Sequence, residues 1–151
     1  MDYNHKNSSI NILLVDDDED DREFFTDIIH KVNGPVKLDY TANGKELFSK
    51  LRESLDNLPD LIFLDLNLPG KDGRDCLSEM KSSDTLSKMQ VIICSTSSSP
   101  VDINYAYEKG ADLYLVKPPN FTTYFNMLKN VLDMFVNNKL PVRDRQKFVF
   151  S

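Results

Sequence analysis

Residues 61–73 read Leu-Ile-Phe-Leu-Asp-Leu-Asn-Leu-Pro-Gly-Lys-Asp-Gly, and the first five decide the fold. Leu61 to Leu64 is a run of four apolar residues, entered from Leu58-Pro59-Asp60 and left through Pro69-Gly70. A short strand that is apolar on both faces belongs inside a parallel sheet covered on two sides. Asp65 then closes the run, where another apolar residue would pack at lower cost than a carboxylate. The strand implies layers above and below it, and the carboxylate implies something polar at its end.

The same unit recurs along the chain. Ile10 to Val15 is a first apolar run, followed by Phe24, Phe25, Ile28, Ile29 and Val32 at helical spacing and by a stop at Asn33-Gly34-Pro35. Val36 to Tyr40 alternates as a second strand, and Asn43-Gly44 opens a helix marked by Leu47, Leu51 and Leu55. After the third strand comes a helix around Arg74 to Lys81, then Val91 to Cys94 as a fourth strand and a helix from Val101 to Lys109 closed by Gly110. Leu113 to Val116 is a fifth strand, and Phe121, Phe125, Leu128, Leu132 and Phe135 line one face of a long last helix. The pattern is βα five times over. It predicts an α/β domain over residues 10–137 with a doubly wound parallel sheet. Residues 1–9 form a polar N-terminal tail, and residues 138–151 are expected to be a C-terminal extension, not an output domain.

Composition limits the function. The 151 residues are 40% hydrophobic and 28% charged, the balance of one soluble domain. With 18 Lys and Arg against 24 Asp and Glu, the net charge of −6 argues against nucleic-acid binding, which needs a positive surface. No apolar run approaches the ~20 residues of a membrane span, and Met1 to Ser9 lacks the core of a secretory signal. Cys76 and Cys94 have no metal-ligand spacing. They read as buried, reduced thiols, and a cytoplasmic location is expected.

In an open parallel sheet, ligands gather at the carboxyl ends of the strands. There the sequence places Asp16, Asp17 and the acids through Asp21, then Asp65 with Leu66-Asn67, then the hydroxyls Ser95 to Ser99, and finally Lys117 before Pro118-Pro119. A pair of carboxylates at about 4 Å costs about 4 kcal/mol at an effective dielectric of 20. Such a cluster must protonate or hold a cation, and an all-oxygen set suits Mg²⁺. The plainer reading of Asp18 to Asp21 is a solvated helix N-terminus favoured by the helix dipole. It explains neither Asp65 nor Lys117, each ending an apolar strand.

The stretches Ile-Leu-Leu-Val-Asp-Asp at 12–17, the quoted 61–73, and Tyr-Leu-Val-Lys-Pro at 114–118 resemble the response regulator receiver domain of two-component signalling. That resemblance implies a flavodoxin-like (βα)5 fold with strand order 2-1-3-4-5. It also implies roles. Asp65 would accept the phosphoryl group. Asp16, Asp17 and Asp65, with the main-chain carbonyl of Asn67, would hold Mg²⁺. Ser95 and Lys117 would contact the phosphoryl oxygens across a cis Lys117–Pro118 peptide. Ser95 and Tyr114 would form the switch, Tyr114 rotating into space that Ser95 vacates. The acid-rich start and the Ser95-Thr96-Ser97 segment look like the stand-alone receivers associated with phytochrome-type and hybrid kinases. A sensor histidine kinase or phosphotransfer protein would supply the phosphoryl group, and a downstream protein would bind the surface around Tyr105, Tyr107 and Tyr114.

Two other readings compete. A haloacid dehalogenase-like phosphatase would use Asp16 and Asp18 as nucleophile and acid, but leaves Asp65 idle and lacks a later acidic metal site. A degenerate receiver acting only as a docking module would usually have lost an acid or the lysine. Thr96 stands where many receivers carry a smaller residue and is expected to narrow access. Phe148-Val149-Phe150 is costly to leave in water. It is expected to pack on a receiver surface, its own or a second subunit's, separated from the last helix by Pro141; strand addition between subunits would give a homodimer.

Overall fold

A computed structural model describes residues 9–32, 34–137 and 144–151. Five strand–helix units follow in order: β1 (Ile10–Val15) and α1 (Glu19–Lys31), β2 (Val36–Thr41) and α2 (Gly44–Glu53), β3 (Leu61–Leu64) and α3 (Gly73–Ser82), β4 (Gln90–Ser95) and α4 (Pro100–Glu108), β5 (Leu113–Val116) and α5 (Phe121–Val136). A short strand, β6 (Val149–Phe150), follows a 3-10 turn at Arg145–Lys147. All six strands form one parallel sheet of order β2-β1-β3-β4-β5-β6.

Side chains alternate across the sheet and split the core into two layers. Ile12, Leu14, Leu61, Phe63, Ile92, Cys94, Leu113 and Leu115 meet Phe25, Ile28 and Ile29 of α1 and Tyr124, Leu128 and Val131 of α5. Leu13, Val15, Ile62, Leu64, Val91, Ile93 and Tyr114 meet Leu47 and Leu51 of α2, Leu77 and Met80 of α3, and Ile103 and Ala106 of α4. The helices start where capping side chains stand. Asp18, Asn43, Asp72, Ser99 and Asn120 each accept a hydrogen bond from a backbone N–H in the first turn of the helix they open. Cys76 and Cys94 are buried and free, and burial pushes their thiols up to about 11 and about 12. The reading of inert thiols holds.

Two details differ from expectation. Leu55 lies beyond the end of α2 and is exposed, because the helix already stops at Ser54, whose N–H bonds Leu51 O. The sheet has six strands, because the C-terminal apolar triplet supplies one more. Phe148 is 1% exposed, wedged between Tyr107 and Tyr114 with ring centroids 5.2 and 6.3 Å away. Tyr114 N–H donates to Phe148 O at 3.0 Å, and Arg145 donates to Asn104 Oδ1 of α4 at 2.8 Å. The triplet thus covers the β5 edge of its own chain; Pro141 lies outside the described residues.

Replacing Phe148 by Ala should remove about 2–4 kcal/mol of stability in urea titration. Unchanged stability would mean that β6 does not dock in solution.

Candidate functional site

Strand parity decides which side chains meet. Asp16 continues the Ile12–Leu14 face, Asp65 the Leu61–Phe63 face and Lys117 the Leu113–Leu115 face, so all three point to the layer of α1 and α5. Ser95 continues the Val91–Ile93 face, which Tyr114 shares. The strand ends are also stitched together: Asp16 N–H bonds Thr41 O, Asp65 N–H bonds Val15 O, and Lys117 N–H bonds Ser95 O at 2.8 Å.

Asp16 is 2% exposed. Its Oδ1 accepts from Asp18 N–H at 3.0 Å and its Oδ2 from Lys117 Nζ at 3.0 Å. Its carbonyl accepts from Arg22 at 2.9 Å, and that guanidinium lies over the Tyr40 ring. Asp65 Oδ1 accepts from Asn67 N–H at 3.0 Å, and its Oδ2 faces Lys117 Nζ at 3.4 Å. Burial pushes the Asp65 carboxyl above its ordinary range, with Lys117 opposing. Burial by itself would lower the Lys117 ammonium, but Asp65 and Asp16 outweigh it and hold the group above the usual lysine value. Lys117 is therefore firmly charged at neutral pH.

One oxygen from each of Asp16, Asp17 and Asp65 lies within 4.8 Å of the others. Asp16 is buried, Asp65 half-buried and Asp17 exposed, so the cluster opens to water on one side. Three hard oxygens with room for water fit a small divalent cation such as Mg²⁺. Asn67 sits exposed on the turn directly after Asp65. The backbone there has no room to shift, because a Cβ on Gly73 would stand 2.1 Å from Asp65 O and 2.7 Å from Leu66 Cα. Only glycine lets α3 begin against the Asp65 main chain.

The hydroxyl side forms a second network. Ser95 is 1% exposed and its Oγ accepts from Ser97 N–H at 3.1 Å. Ser97 O accepts from Tyr114 OH at 2.8 Å, and Ser97 Oγ donates to Asp102 at 2.7 Å. Arg74 of α3 then binds Asp102 at 2.6 Å and Asp72 at 3.1 Å. Ser97 belongs to the hydroxyl run that the sequence places after β4, whereas Asp102 and Arg74 carry no sequence signal of their own.

Two expectations are corrected. The described residues contain no cis peptide, so Lys117–Pro118 is trans. Lys117 reaches both carboxylates in that form, so nothing opposes the ordinary trans preference of X–Pro bonds. Tyr114 has no inward rotation left to make: its ring is fully buried already and its hydroxyl is tied to Ser97, with Phe148 packed beside it, while Tyr105 and Tyr107 are half-buried. Within the acidic run Asp18 caps α1, which occupies the carboxylate a phosphatase would need as its acid, and Asp21 stands exposed in the first turn as the helix-terminus reading expects, with its Oδ2 also 3.4 Å from Lys117 Nζ. Thr96 is exposed and lines, with Pro119, a cavity of about 380 Å³ beside the acids.

The profile of the response regulator receiver domain matches residues 12–129. The chain belongs to the response regulator receiver family. Rcp1 of Synechocystis is 32% identical over 124 residues, covering 80% of this receiver and 84% of Rcp1. A probable methanogenesis regulatory protein, FilR2 of Methanothrix harundinacea, is 31% identical over 134 residues and 86% of each chain. Among solved structures, the phosphorylated cyanobacterial phytochrome response regulator RcpA superposes with TM-score 0.79 at 32% identity, covering 87% of this chain and 96% of that one. The Mn²⁺-bound form of Rcp1 gives 0.77 at 30% identity, covering 87% and 99%. Receiver domains are signalling proteins that bind a divalent metal and take a phosphoryl group from histidine kinases. No helix among the described residues of this receiver is long and apolar enough to cross a membrane.

Gly73→Ala should cost this receiver about 2–3 kcal/mol in thermal unfolding, and an unchanged melting temperature would refute the close approach to Asp65. Asp102 offers a pH test. Its hydrogen bonds from Arg74 and then Ser97 hold its carboxyl below the ordinary range. A depressed folded-state pKa gives stability that is present above the unfolded value of about 3.9 and lost as pH falls through the folded value. Asp102→Asn should therefore lower stability by about 1 kcal/mol at pH 7, allowing for solvent screening, and the difference from wild type should close in acid. A pH-independent difference would contradict the assignment.

Proposed function

We propose that this receiver is a phospho-acceptor in which Asp65 takes the phosphoryl group from a phosphohistidine of a sensor histidine kinase or phosphotransfer protein. The observation that carries the reading is the placement of one ammonium, Lys117, between Asp16 and Asp65 while Asp17 completes an oxygen cluster open to water. In the transfer, an Asp65 carboxylate oxygen attacks phosphorus in line, the P–N bond breaks, and its electron pair returns to the imidazole. Lys117 stabilises charge on one phosphoryl oxygen, and the Ser95 hydroxyl donates to another. Asp16, Asp17, Asp65 and the Asn67 carbonyl would hold Mg²⁺, which when bound neutralises charge on the carboxylates and the incoming group.

The residues act as acceptor and assist their own phosphorylation and dephosphorylation, with no external substrate turned over. Output passes by binding: Ser95, Ser97 and Tyr114 link the acceptor to α4 and to β6, which covers the β5 edge, and a downstream protein docks on that combined surface. The cytoplasm, where histidine kinases present their phosphohistidine, is the compartment this role requires.

Acetyl phosphate with Mg²⁺ should add one phosphoryl group by intact mass, and Asp65→Asn should abolish it. Retention of the added mass in that variant would place the acceptor elsewhere. Mg²⁺ should also raise the melting temperature of the wild type by mass action but not that of Asp17→Asn; equal shifts would mean that the acids hold no metal.

A further inference from the structure

Among the acids of residues 16–21, Asp21 is the one outside the metal cluster whose carboxylate reaches the lysine. It stands in the first turn of α1, and its Oδ2 lies 3.4 Å from Lys117 Nζ. The ammonium is thus shared by three carboxylates, those of Asp16, Asp65 and Asp21. Asp16 and Asp65 belong to the acceptor cluster and Asp21 does not, but Asp21 shares with Asp16 and Lys117 the lining of the cavity that also meets Thr96 and Pro119. Lys117 is the cation these groups share, and no other Lys or Arg among the described residues makes an ion pair with Asp16, Asp65 or Asp21.

We propose that Asp21 is a specificity-determining residue for the phosphodonor, selecting against donors of higher net negative charge. This inference rests on the reading of Asp65 as phospho-acceptor. A donor reaching Asp65 must bring its phosphoryl oxygens to Lys117, and so close to the Asp21 carboxylate. Like-charge repulsion there grows with the charge on the donor. Acetyl phosphate is a dianion at neutral pH: Asp65 attacks phosphorus, the P–O bond breaks, and acetate leaves with the electron pair. Phosphoramidate is mainly a monoanion with a protonated nitrogen: the P–N bond breaks, and ammonia leaves with that pair and the protons already on it. Asp21 opposes the first more than the second. Its side chain is 51% exposed, so solvent limits the effect to a few-fold, and salt diminishes it.

The test measures the second-order rate constant of phosphorylation of the full chain with saturating Mg²⁺ for both donors. In Asp21→Asn the acetyl phosphate rate should rise about two- to fivefold, and the phosphoramidate rate should change less. Asp21→Glu should keep the wild-type ratio between donors, and raised salt should shrink the gap between wild type and Asp21→Asn. Equal factors for the two donors, including an equal loss, would overturn the proposal, since a residue that merely positions Lys117 acts on both alike. An unchanged ratio in Asp21→Asn would also overturn it. Absence of phosphorylation at Asp65 in the wild type with either donor would instead bring down the reading of Asp65 itself.

Discussion

Everything at the strand ends depends on one electrostatic constraint: carboxylates crowd a partly buried space, and one ammonium holds them there. Asp16 is almost wholly buried, and a buried carboxylate without a partner is costly enough to protonate or unfold. Lys117, at 3.0 Å, makes its burial tolerable, and the carboxylates in turn keep the lysine charged although burial opposes it. Each half stabilises the other. The pairing ties the end of β1 to that of β5 across β3 and β4, and so sets the spacing of the carboxylates around the ammonium.

The sheet supplies the geometry without special devices. Strand parity sends Asp16, Asp65 and Lys117 to the α1–α5 layer and Ser95 with Tyr114 to the α4 layer. The acidic cluster and the hydroxyl network therefore lie on opposite sides of the same strand ends, joined by the Lys117 N–H to Ser95 O hydrogen bond. Motion of Ser95 would be felt by Ser97, Tyr114 and Asp102, and beyond them by β6 through Phe148.

Most of this was legible in the sequence because it follows from period and position. Apolar runs ending in Asp16, Asp65, Ser95 and Lys117 give both the strands and their functional ends. Asp21 was hidden because it sits in a run of acids where every member looks like a helix terminus, and only the tertiary position of Lys117 singles it out. The C-terminal triplet announced its cost in water, but a strand of two residues has no periodicity to reveal its partner. The inward ring of Tyr114 is a rotamer set by Ser97 and Phe148, which local sequence does not encode. The trans Lys117–Pro118 bond follows the ordinary preference of an X–Pro peptide, which the family resemblance does not convey.

The most direct test of the charge constraint is the thermal stability of Lys117→Ala with and without Mg²⁺. With the ammonium removed and metal chelated, the carboxylates are left facing one another, and the melting temperature should fall below that of the wild type. Adding Mg²⁺ should then stabilise the variant by more than it stabilises the wild type, because the cation replaces the missing charge. An identical Mg²⁺-induced shift in both proteins, with no loss of stability in the chelated variant, would contradict the central role given to Lys117.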